Sequence, residues 1–336
     1  MLKEYIQQVV AGDDLTIAQA EAAMNIIMDG EATPAQIGGY LVALRMKGES
    51  VSEITGSAAA MRAHSSRVNM GTTGTLIDTA GTGGDGANTF NISTTAAFVI
   101  AAAGYKVAKH GNRAASSRSG SADVLEVLGV NLELTPAQVG ECIEEVGIGF
   151  MFAPKFHPAM RYAIGPRREL GMRTIFNVLG PLTNPAGATH QLIGVFDSAL
   201  TETMAQVLAE LGSEAAFVVH GHDGLDELTT AGVNRVSELK GGVVSTYSLN
   251  AADYGLRPAS AADLRGGDPT ANATITRAIL AGEDSPRSDV VALNAATALV
   301  MEGIGWETAV STSRDILASG KALAKLDALI EKSNAD

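Results

Sequence analysis

The sequence predicts an α/β protein in which a small N-terminal helical domain precedes a larger domain with a mainly parallel sheet flanked by helices. Two observations lead to this fold class. Residues 1–65 show helix caps and glycine stops without any strand-like alternation. From Gly74 onward, short apolar runs of strand length alternate with helical segments, which is the pattern of parallel strands connected by helices.

The N-terminal helices are predicted from their boundary residues. Serine and threonine side chains accept hydrogen bonds from the free N–H groups of a first turn, and glycine readily ends a helix. The pattern predicts one helix over residues 17–28 between Thr16 and Gly30, a second over residues 35–46 between Thr33-Pro34 and Gly48, and a third that opens at Ser52 and reaches Ala63.

The larger domain follows from the alternation after Gly74, which a Pro- and Arg-rich insert at residues 154–185 interrupts before a helical tail begins near Ala271. The predicted strands are 76–78, 106–110, 148–152, 191–196 and 216–220, and the predicted helices are 94–103, 121–128, 136–146 and 201–211. We expect the helical domain to comprise residues 1–70 and part of 155–190, and the α/β domain residues 71–154 and 191–336. In such sheets the ligand loops follow the carboxyl ends of the strands.

Composition and charge exclude several classes of function. The 336 residues include 24 lysines and arginines against 37 acids, a net charge of −13, which disfavours nucleic acid and anionic membranes as partners. The longest apolar run, Ala96–Ala103, is far shorter than the ~20 residues that cross a bilayer, and the N-terminus does not resemble a signal peptide. The single cysteine, Cys142, is expected to be buried in a helix and allows no intramolecular disulfide. We therefore expect a cytoplasmic protein.

A glycine-rich loop follows the first predicted strand. Residues 81–86 read GTGGDG and satisfy the G-x-G-x-x-G pattern of dinucleotide sites, but no acid lies between Asp85 and Asp123 to hold a ribose hydroxyl, so NAD is disfavoured. The glycines still allow backbone N–H groups to approach an anion, with polar side chains ahead of a helix N-terminus. A phosphate cradle is the favoured interpretation, and a tight capped turn is the alternative. The polar residues that follow the loop are Asn88, Thr89, Asn91, Ser93 and Thr94.

Two basic islands stand out in this acidic chain. Residues 105–118 contain four basic residues and no acid, and residues 155–173 contain five basic residues and one acid, so the rest of the chain carries −21. A basic run is often a solvated face. Because one island lies beside the glycine loop and continues into serines ahead of another helix, small anionic ligands are the favoured interpretation.

An acid pair lies in a loop after the last predicted strand. Asp226 and Glu227 follow His220 and His222, so the loop is compatible with a transition-metal site or with a site for a hard cation. Adjacent carboxylates suit Mg²⁺, which keeps several waters and takes one or two carboxylates plus phosphate oxygens of a ligand. A solvated loop is the structural alternative.

Four motifs together resemble the anthranilate phosphoribosyltransferase family, and residues 36–50 resemble its N-terminal region. The resemblance covers essentially the whole chain and implies transfer of the phosphoribosyl group of phosphoribosyl pyrophosphate (PRPP) to anthranilate, a requirement for Mg²⁺, and a homodimer through the helical domain. The motifs are Gly81–Thr94, Lys109–Gly129, Gly165–Pro185 and Gly224–Thr229.

The resemblance also implies a set of site residues. PRPP would be bound by Gly81, Gly84, Asp85, Thr89, Asn91, Ile92, Ser93 and Thr94, and by Lys109, His110, Gly111, Asn112, Arg113, Ala114, Ala115, Ser116, Ser117 and Ser121. Anthranilate would contact Gly81, Asn112 and Arg167; the metal would be held by Ser93, Asp226 and Glu227; the catalytic residues would be Lys109, Asp226 and Glu227.

Two residue assignments stay open at this point. Gly165-Pro166 precede Arg167-Arg168 where the family often has other residues before its arginine, so Arg168 is an alternative to Arg167. His110 is the nearest candidate for taking the amine proton, and a structural loop histidine is the alternative. Two other functions were weighed: a pyrimidine-nucleoside phosphorylase, which reads KHSSGG-like where this chain has KHGNRA, and a non-catalytic nucleic-acid-binding relative.

Overall fold

Four helices form the N-terminal part of the chain in the computed structural model, which describes residues 1–71, 74–114 and 118–335. The third predicted helix begins at Val51, because Ser50 rather than Ser52 is its N-cap. The Ser52 hydroxyl donates instead to the Leu15 carbonyl at 2.7 Å. The helices are α1 (Leu2–Val10), α2 (Ile17–Met28), α3 (Pro34–Lys47) and α4 (Val51–Ala63).

A capping box starts each of α2, α3 and α4, in which the cap hydroxyl and the side chain three residues later exchange hydrogen bonds with the backbone. Glu53 extends this role, because it is fully buried, accepts from the Leu15 amide at 3.1 Å and pairs with the Lys47 ammonium at 3.0 Å. Helices α2 and α4 cross closely at Gly56, where any side chain would overlap the Ile17 carbonyl.

The sheet is mixed, with five parallel strands and an antiparallel hairpin at one edge. Its order is β3-β2-β1-β4-β5-β6-β7. The hairpin is absent from the sequence-based prediction; Gly241 and Gly242, both with positive φ, form its two-residue turn. The strands are β1 (Leu76–Gly81), β2 (Lys106–Gly111), β3 (Ile148–Phe152), β4 (His190–Gly194), β5 (Ala215–His220), β6 (Val233–Lys240) and β7 (Val243–Asn250).

Helices connect and cover the strands as predicted, with two differences. The helix after the glycine loop begins at Ile92, before the predicted Thr94, and the predicted helix 136–146 ends in a π-helical segment, Cys142–Val146, that buries the cysteine. The helices are α5 (Ile92–Ala102), α6 (Ser121–Leu128), α7 (Pro136–Glu141), α8 (Ala153–Phe156), α9 (Arg161–Leu170), α10 (Phe176–Leu179), α11 (Leu200–Glu210), α12 (Ala261–Leu264), α13 (Pro269–Leu280), α14 (Pro286–Met301), α15 (Trp306–Ala318) and α16 (Lys321–Ser333). None of the described helices is both long and apolar enough to cross a membrane.

Two apolar cores lie on opposite faces of the sheet. On β5, Phe217 and Val219 belong to one core, while Ala216 and Val218 belong to the other, as the alternation of side chains along a strand requires. Helices α5 and α14 cover the first core, whereas the second continues through α11 and α4 into the N-terminal helices. Helix α9 of the insert packs on α2 and α3, so this part of the insert joins the helical bundle.

The order of the strands creates a crevice between β1 and β4. From β1 the chain moves outward to β2 and β3 and then crosses back to β4, so the loops that leave β1 and β4 diverge. Parallel sheets bind ligands at such a switch point, beyond the carboxyl ends of the strands. Gly81 and Gly194 are register partners at these two strand ends, which leaves open backbone at the crevice.

Replacing Gly56 by alanine tests the close crossing of α2 and α4. The new Cβ would overlap the Ile17 carbonyl and lie 2.7 Å from the Glu21 nitrogen, so the helices must separate. We expect the free energy of unfolding to fall by about 1–3 kcal/mol, measured from urea unfolding curves. The matched control is Gly38→Ala in α3, where a Cβ meets no atom within 4 Å and the better helix propensity of alanine keeps stability equal or higher. Equal urea midpoints for the two variants would contradict this contact.

Candidate active site

The glycine loop leaves β1 in a left-handed backbone conformation. Gly83, Gly84 and Gly86 have φ values of +66°, +83° and +74°, and Asn88 has the one positive φ of a non-glycine residue in the described chain, at +53°. Glycine adopts this conformation without steric cost, so the loop can present backbone rather than side chains to a ligand. The loop is largely exposed up to Thr89 and ends at Asn91, the N-cap of α5.

The acid pair faces this loop, although the hydrogen-bonded partners are 143 and 134 residues apart in the sequence. The Gly83 amide donates to Asp226 Oδ2 at 2.7 Å, and the Ser93 amide donates to Glu227 Oε1 at 3.0 Å. The structure therefore brings together the glycine loop, the start of α5 and both carboxylates at the crevice between β1 and β4. A Cβ on Gly81 would overlap the Asp226 carboxylate, so glycine leaves the space that this side chain occupies.

The two carboxylates lack a full countercharge. Burial and the nearby Asp85 raise the pKa of Asp226, and burial together with Asp226 raises the pKa of Glu227. Two adjacent carboxylates with a serine hydroxyl beside them are hard oxygen donors, which fit Mg²⁺. Within the described residues, no group of three or more His, Cys, Asp and Glu side chains is placed to hold a metal ion, either at His220 and His222 or at the acid pair.

Lys109 lies beneath the site rather than in its opening. It is 3% exposed, and its ammonium donates to the Thr79 carbonyl at 2.5 Å. Burial lowers its pKa, while the charges of Asp78 and Glu227 act in the opposite direction. The Lys109 ammonium therefore adds a buried positive charge close to the carboxylates of Asp78 and Glu227.

The sequence analysis overlooked Asp78 and Asn184, two buried polar residues that bind each other; the charge of Asp78 acts on the pKa of Lys109. The Asp78 carboxylate accepts from the His110 amide at 3.1 Å and from Asn184 Nδ2 at 2.7 Å, and burial raises its pKa to about 6. Asn184 also donates to the Ala108 carbonyl at 2.8 Å. A polar residue in an otherwise apolar strand was the signal for Asp78, and Asn184 lies in the third motif, Gly165–Pro185.

The loop after β2 packs tightly on the start of α6. The carbonyl of Asn112 accepts from the Ser121 hydroxyl at 3.3 Å, and a Cβ on Gly111 would overlap that hydroxyl. Asn91 joins this loop to the glycine loop, because its Nδ2 donates to the Ser119 carbonyl at 3.2 Å. The predicted PRPP residues Ala115, Ser116 and Ser117 lie outside the described residues, and Ala114 is the last one described before them.

The first basic island is not an open positive patch, which corrects the simple interpretation of its charge. The Arg113 guanidinium binds Asp123 at 3.0 Å and Glu126 at 2.7 Å on α6. Arg113 is exposed but paired with these two acids, and Lys109 is buried, so neither of these two charges is free at the surface. Ile92 and Thr94 are also buried, at 1% exposure each, so their backbone is the part that lies near the loop.

Arg167 and Arg168 differ in their surroundings. Arg167 is half-buried, its guanidinium carbon lies 5.0 Å from the centroid of the Phe176 ring, and burial lowers its pKa. Its guanidinium makes no hydrogen bond or ion pair with the described part of the chain, whereas its neighbour Arg168 is exposed to solvent. Arg167 is therefore the arginine that is sheltered and still has donors to offer.

Two buried histidines, one of them absent from the predicted site, lie against each other. The ring centroids of His110 and His157 are 5.0 Å apart, and each Nε2 is buried without a hydrogen-bond partner among the described residues. Burial and the neighbouring His157 lower the pKa of His110 to about 3, and burial lowers the pKa of His157 to about 4. Both rings are neutral at physiological pH. The sequence signal for His157 was the position of this residue in the Pro- and Arg-rich insert.

Comparison with known proteins bears directly on this site. Residues 3–65 match the family model described as glycosyl transferase family, helical bundle domain, and residues 73–323 match its a/b domain. An anthranilate phosphoribosyltransferase of Acetivibrio thermocellus is 53% identical over 99% of this chain and 97% of the relative, and one of Moorella thermoacetica is 55% identical over 98% of both. The chain belongs to the anthranilate phosphoribosyltransferase family.

Solved structures of the same family agree with this assignment. The enzyme of Thermus thermophilus superposes with a TM-score of 0.93 at 45% identity, covering 98% of this chain and 99% of that one. The Saccharomyces cerevisiae enzyme in complex with PRPP and Mg superposes with a TM-score of 0.89 at 28% identity, covering 99% and 97%. The α/β fold with an N-terminal helical domain, predicted from the sequence, is thus confirmed as that of the anthranilate phosphoribosyltransferase family.

The histidine pair predicts how stability depends on pH. Because the folded state lowers both histidine pKa values below the ordinary 6.5, the unfolded chain takes up protons first, and stability falls as pH falls from about 6.5 towards about 4. We expect His157→Gln to remove about 2 kcal/mol of the stability difference between pH 7.5 and pH 5, measured by urea unfolding. The partly exposed His64 supplies the control, His64→Gln. An unchanged pH dependence in His157→Gln would refute the neutral buried pair.

Proposed function

We infer that this protein transfers the 5-phosphoribosyl group of PRPP to the amine of anthranilate and releases pyrophosphate. Full-length similarity to the family at 53% and 55% identity supports this reaction. The observation that carries it within the molecule is the meeting of the glycine loop with Asp226 and Glu227 at the switch point of the sheet. This arrangement offers N–H donors and a cation site side by side, as a polyphosphate requires.

We propose that the diphosphate and ribose of PRPP lie across the glycine loop and the start of α5. The exposed backbone of the loop and the positive end of the α5 dipole favour a negative charge there. The described part of the second loop, Lys109–Ala114 with Ser121, completes the site on the other side of Asn91. The glycine-loop residues in this proposal are Gly81, Gly84, Asp85, Thr89, Asn91, Ile92, Ser93 and Thr94.

Asp226, Glu227 and the Ser93 hydroxyl are the residues we propose to hold Mg²⁺. When bound, the ion neutralises negative charge on the departing pyrophosphate. Lys109 acts from below, where its buried ammonium offsets part of the carboxylate charge.

The amine of anthranilate, which is the nucleophile, needs little activation by the protein. Phosphoribosyl transfer develops positive charge on the ribose and negative charge on pyrophosphate, so the chain contributes mainly positioning and electrostatic stabilisation. An aromatic amine is uncharged at neutral pH and needs no prior deprotonation. His110, with its pKa lowered to about 3, is a poor proton acceptor, which favours the structural alternative for this residue. Asn112, Gly81 and Arg167 are the proposed contacts of anthranilate, with the guanidinium facing its carboxylate.

The assembly and the location of the protein are also proposed from the described surface and the composition. Helix α3 turns Ala35, Gly39 and Met46 to solvent along one face, and Met46 is 83% exposed, so we propose that a second copy covers this face in a homodimer. Residues 1–70 with part of 155–190, and residues 71–154 with 191–336, are the two proposed domains. The buried lone Cys142 and the acidic composition suit the cytoplasm, without nucleic-acid partners.

Removing both acids tests the metal site. We expect Asp226→Asn plus Glu227→Gln to lower PRPP-dependent consumption of fluorescent anthranilate by about 100-fold, because a lost electrostatic contact to the leaving group costs that much. The matched control is the exposed pair Glu283→Gln plus Asp284→Asn, another two adjacent acids in a loop. Wild-type turnover must require both PRPP and Mg²⁺; thymidine with phosphate must not react. Activity within about twofold of wild type in the first variant would refute the assignment.

Single substitutions of the adjacent residues Arg167 and Arg168 in α9 test which of them contacts anthranilate. We expect Arg167→Ala to raise the KM for anthranilate about tenfold or more while the KM for PRPP changes little, because a charge-assisted contact to a carboxylate is lost. Arg168→Ala, an exposed neighbour with the same charge, is the control and is expected to leave the KM for anthranilate near wild type. The reverse ranking of the two variants would move the role to Arg168.

A further inference from the structure

Arg173 reaches from the insert to the glycine loop. It follows α9 in the short segment before α10, is exposed, and donates through Nη2 to the Gly84 carbonyl at 2.5 Å. Its guanidinium carbon also lies 3.9 Å from the centroid of the Phe196 ring, which is the shortest of the four arginine–aromatic contacts in the described chain. One side chain thus joins the insert, the glycine loop and the loop after β4.

The Arg173 guanidinium packs against Gly84 on the side where a side chain would project. A Cβ at position 84 would lie 3.1 Å from Arg173 Nη2 and 3.7 Å from both Cζ and Nε, so the guanidinium occupies the space beside the glycine where a side chain would project. The φ of +83° at Gly84 separately favours glycine. Both the backbone conformation and the contact with Arg173 require a residue without a side chain at position 84.

Phe196 is itself tied to the same loop. Its amide donates to the Thr82 hydroxyl at 3.1 Å, and the Thr82 amide donates to the Gly194 carbonyl at 2.9 Å. Thr82, Gly84, Phe196 and Arg173 therefore form a closed set of contacts around the glycine loop, which we name the loop clamp. The loop clamp lies one residue from Asp85 and from Gly83, whose amide binds Asp226.

Core packing does not account for Arg173. The residue is exposed and makes no other hydrogen bond or ion pair within the described residues. The stacking on Phe196 and the bond to Gly84 are its contacts of note, and both act on the loop proposed to hold PRPP. Arg173 also lies six residues after Arg167 on the same stretch of the insert, so it links the segment proposed to face anthranilate with the glycine loop.

We propose that Arg173 is a positioning residue that holds the glycine loop in its PRPP-binding conformation and joins it to the insert. The inference rests on the proposed PRPP site. An arginine suits this task because its planar guanidinium can stack on a ring and donate a directed hydrogen bond at the same time, whereas a lysine ammonium is a point charge. The role is positional, through Gly84, rather than a direct contact with the reacting atoms.

Steady-state kinetics of Arg173→Ala test the proposal. We expect the KM for PRPP to rise about tenfold, as for loss of one charge-assisted hydrogen bond, with a smaller change in kcat and in the KM for anthranilate. The thermal midpoint should stay near wild type because the residue is exposed. Arg161→Ala is the matched control: this arginine of the same insert also stacks on a ring, Tyr162, but does not reach the loop, and its kinetics should stay near wild type.

Two further variants separate positioning from simple attraction of the anionic substrate. Arg173→Lys keeps the charge but loses the stacked, bonded geometry, so we expect a KM for PRPP close to that of Arg173→Ala. Phe196→Leu should raise the KM for PRPP in the same direction, and combining it with Arg173→Ala should add little, because both belong to one set of contacts. A wild-type KM in Arg173→Lys, or fully additive effects in the double variant, would overturn the positioning role.

Hydrogen exchange supplies a readout that does not depend on turnover. In Arg173→Ala the amides of residues 82–88 should exchange about tenfold faster, while those of the sheet keep wild-type protection. Unchanged exchange in the loop together with an unchanged KM for PRPP would overturn the proposal. Failure of the proposed function is distinguished by the wild-type protein, which would then consume no anthranilate even though the loop amides still respond to Arg173→Ala.

Discussion

The close approach of residues 226–227 to the ends of β1 and β4 is the constraint on which the rest of the site depends. A side chain at Gly194 would overlap the backbone of Asp226, and a side chain at Gly81 would overlap its carboxylate. Two glycines in register at neighbouring strand ends therefore leave room for the loop after β5, which carries Asp226 and Glu227. Once admitted, its two carboxylates are bound by the amides of Gly83 and Ser93 and cannot drift from the glycine loop.

The electrostatics of the site follow from that placement. Asp85, Asp226 and Glu227 put three carboxyl groups near the loop, and one buried ammonium, Lys109, is shared between the charges of Asp78 and Glu227. The excess negative charge explains why burial and mutual repulsion raise the pKa of both Asp226 and Glu227. A polyphosphate alone would be repelled here, and a divalent cation alone would meet few fixed ligands. Cation and polyphosphate bound together satisfy both, which is the physical reason that this site suits a metal–diphosphate complex.

The sequence predicts most features that carry local signals, whereas the hairpin of β6 and β7 and the cap of α4 are missed despite such signals. Caps and stops place α2 and α3 within a residue or two, and the glycine loop and the acid pair are both visible as short motifs. The hairpin of β6 and β7 escaped notice, although Gly241-Gly242 between alternating runs is a local signal for it. Ser50 displaced Ser52 as the cap of α4 because Glu53, three residues after Ser50, completes its capping box, while Ser52 bonds to Leu15 from another helix.

The basic islands show the same limit at the level of charge. Counted along the chain, each island carries +4, yet Arg113 is neutralised by two acids of α6, Lys155 binds Glu133, and Lys109 points beneath β1. Arg173 binds a backbone carbonyl rather than an acid. Charge that remains available for a carboxylate is concentrated at Arg167, sheltered by Phe176. Since surface ion pairs cancel at short range and a screened charge acts over only about 10 Å, the selection of an anionic substrate depends on such single unpaired groups. The same argument explains how an acidic protein can bind two anionic substrates: local geometry determines the potential that each of them meets, and the net charge of −13 does not.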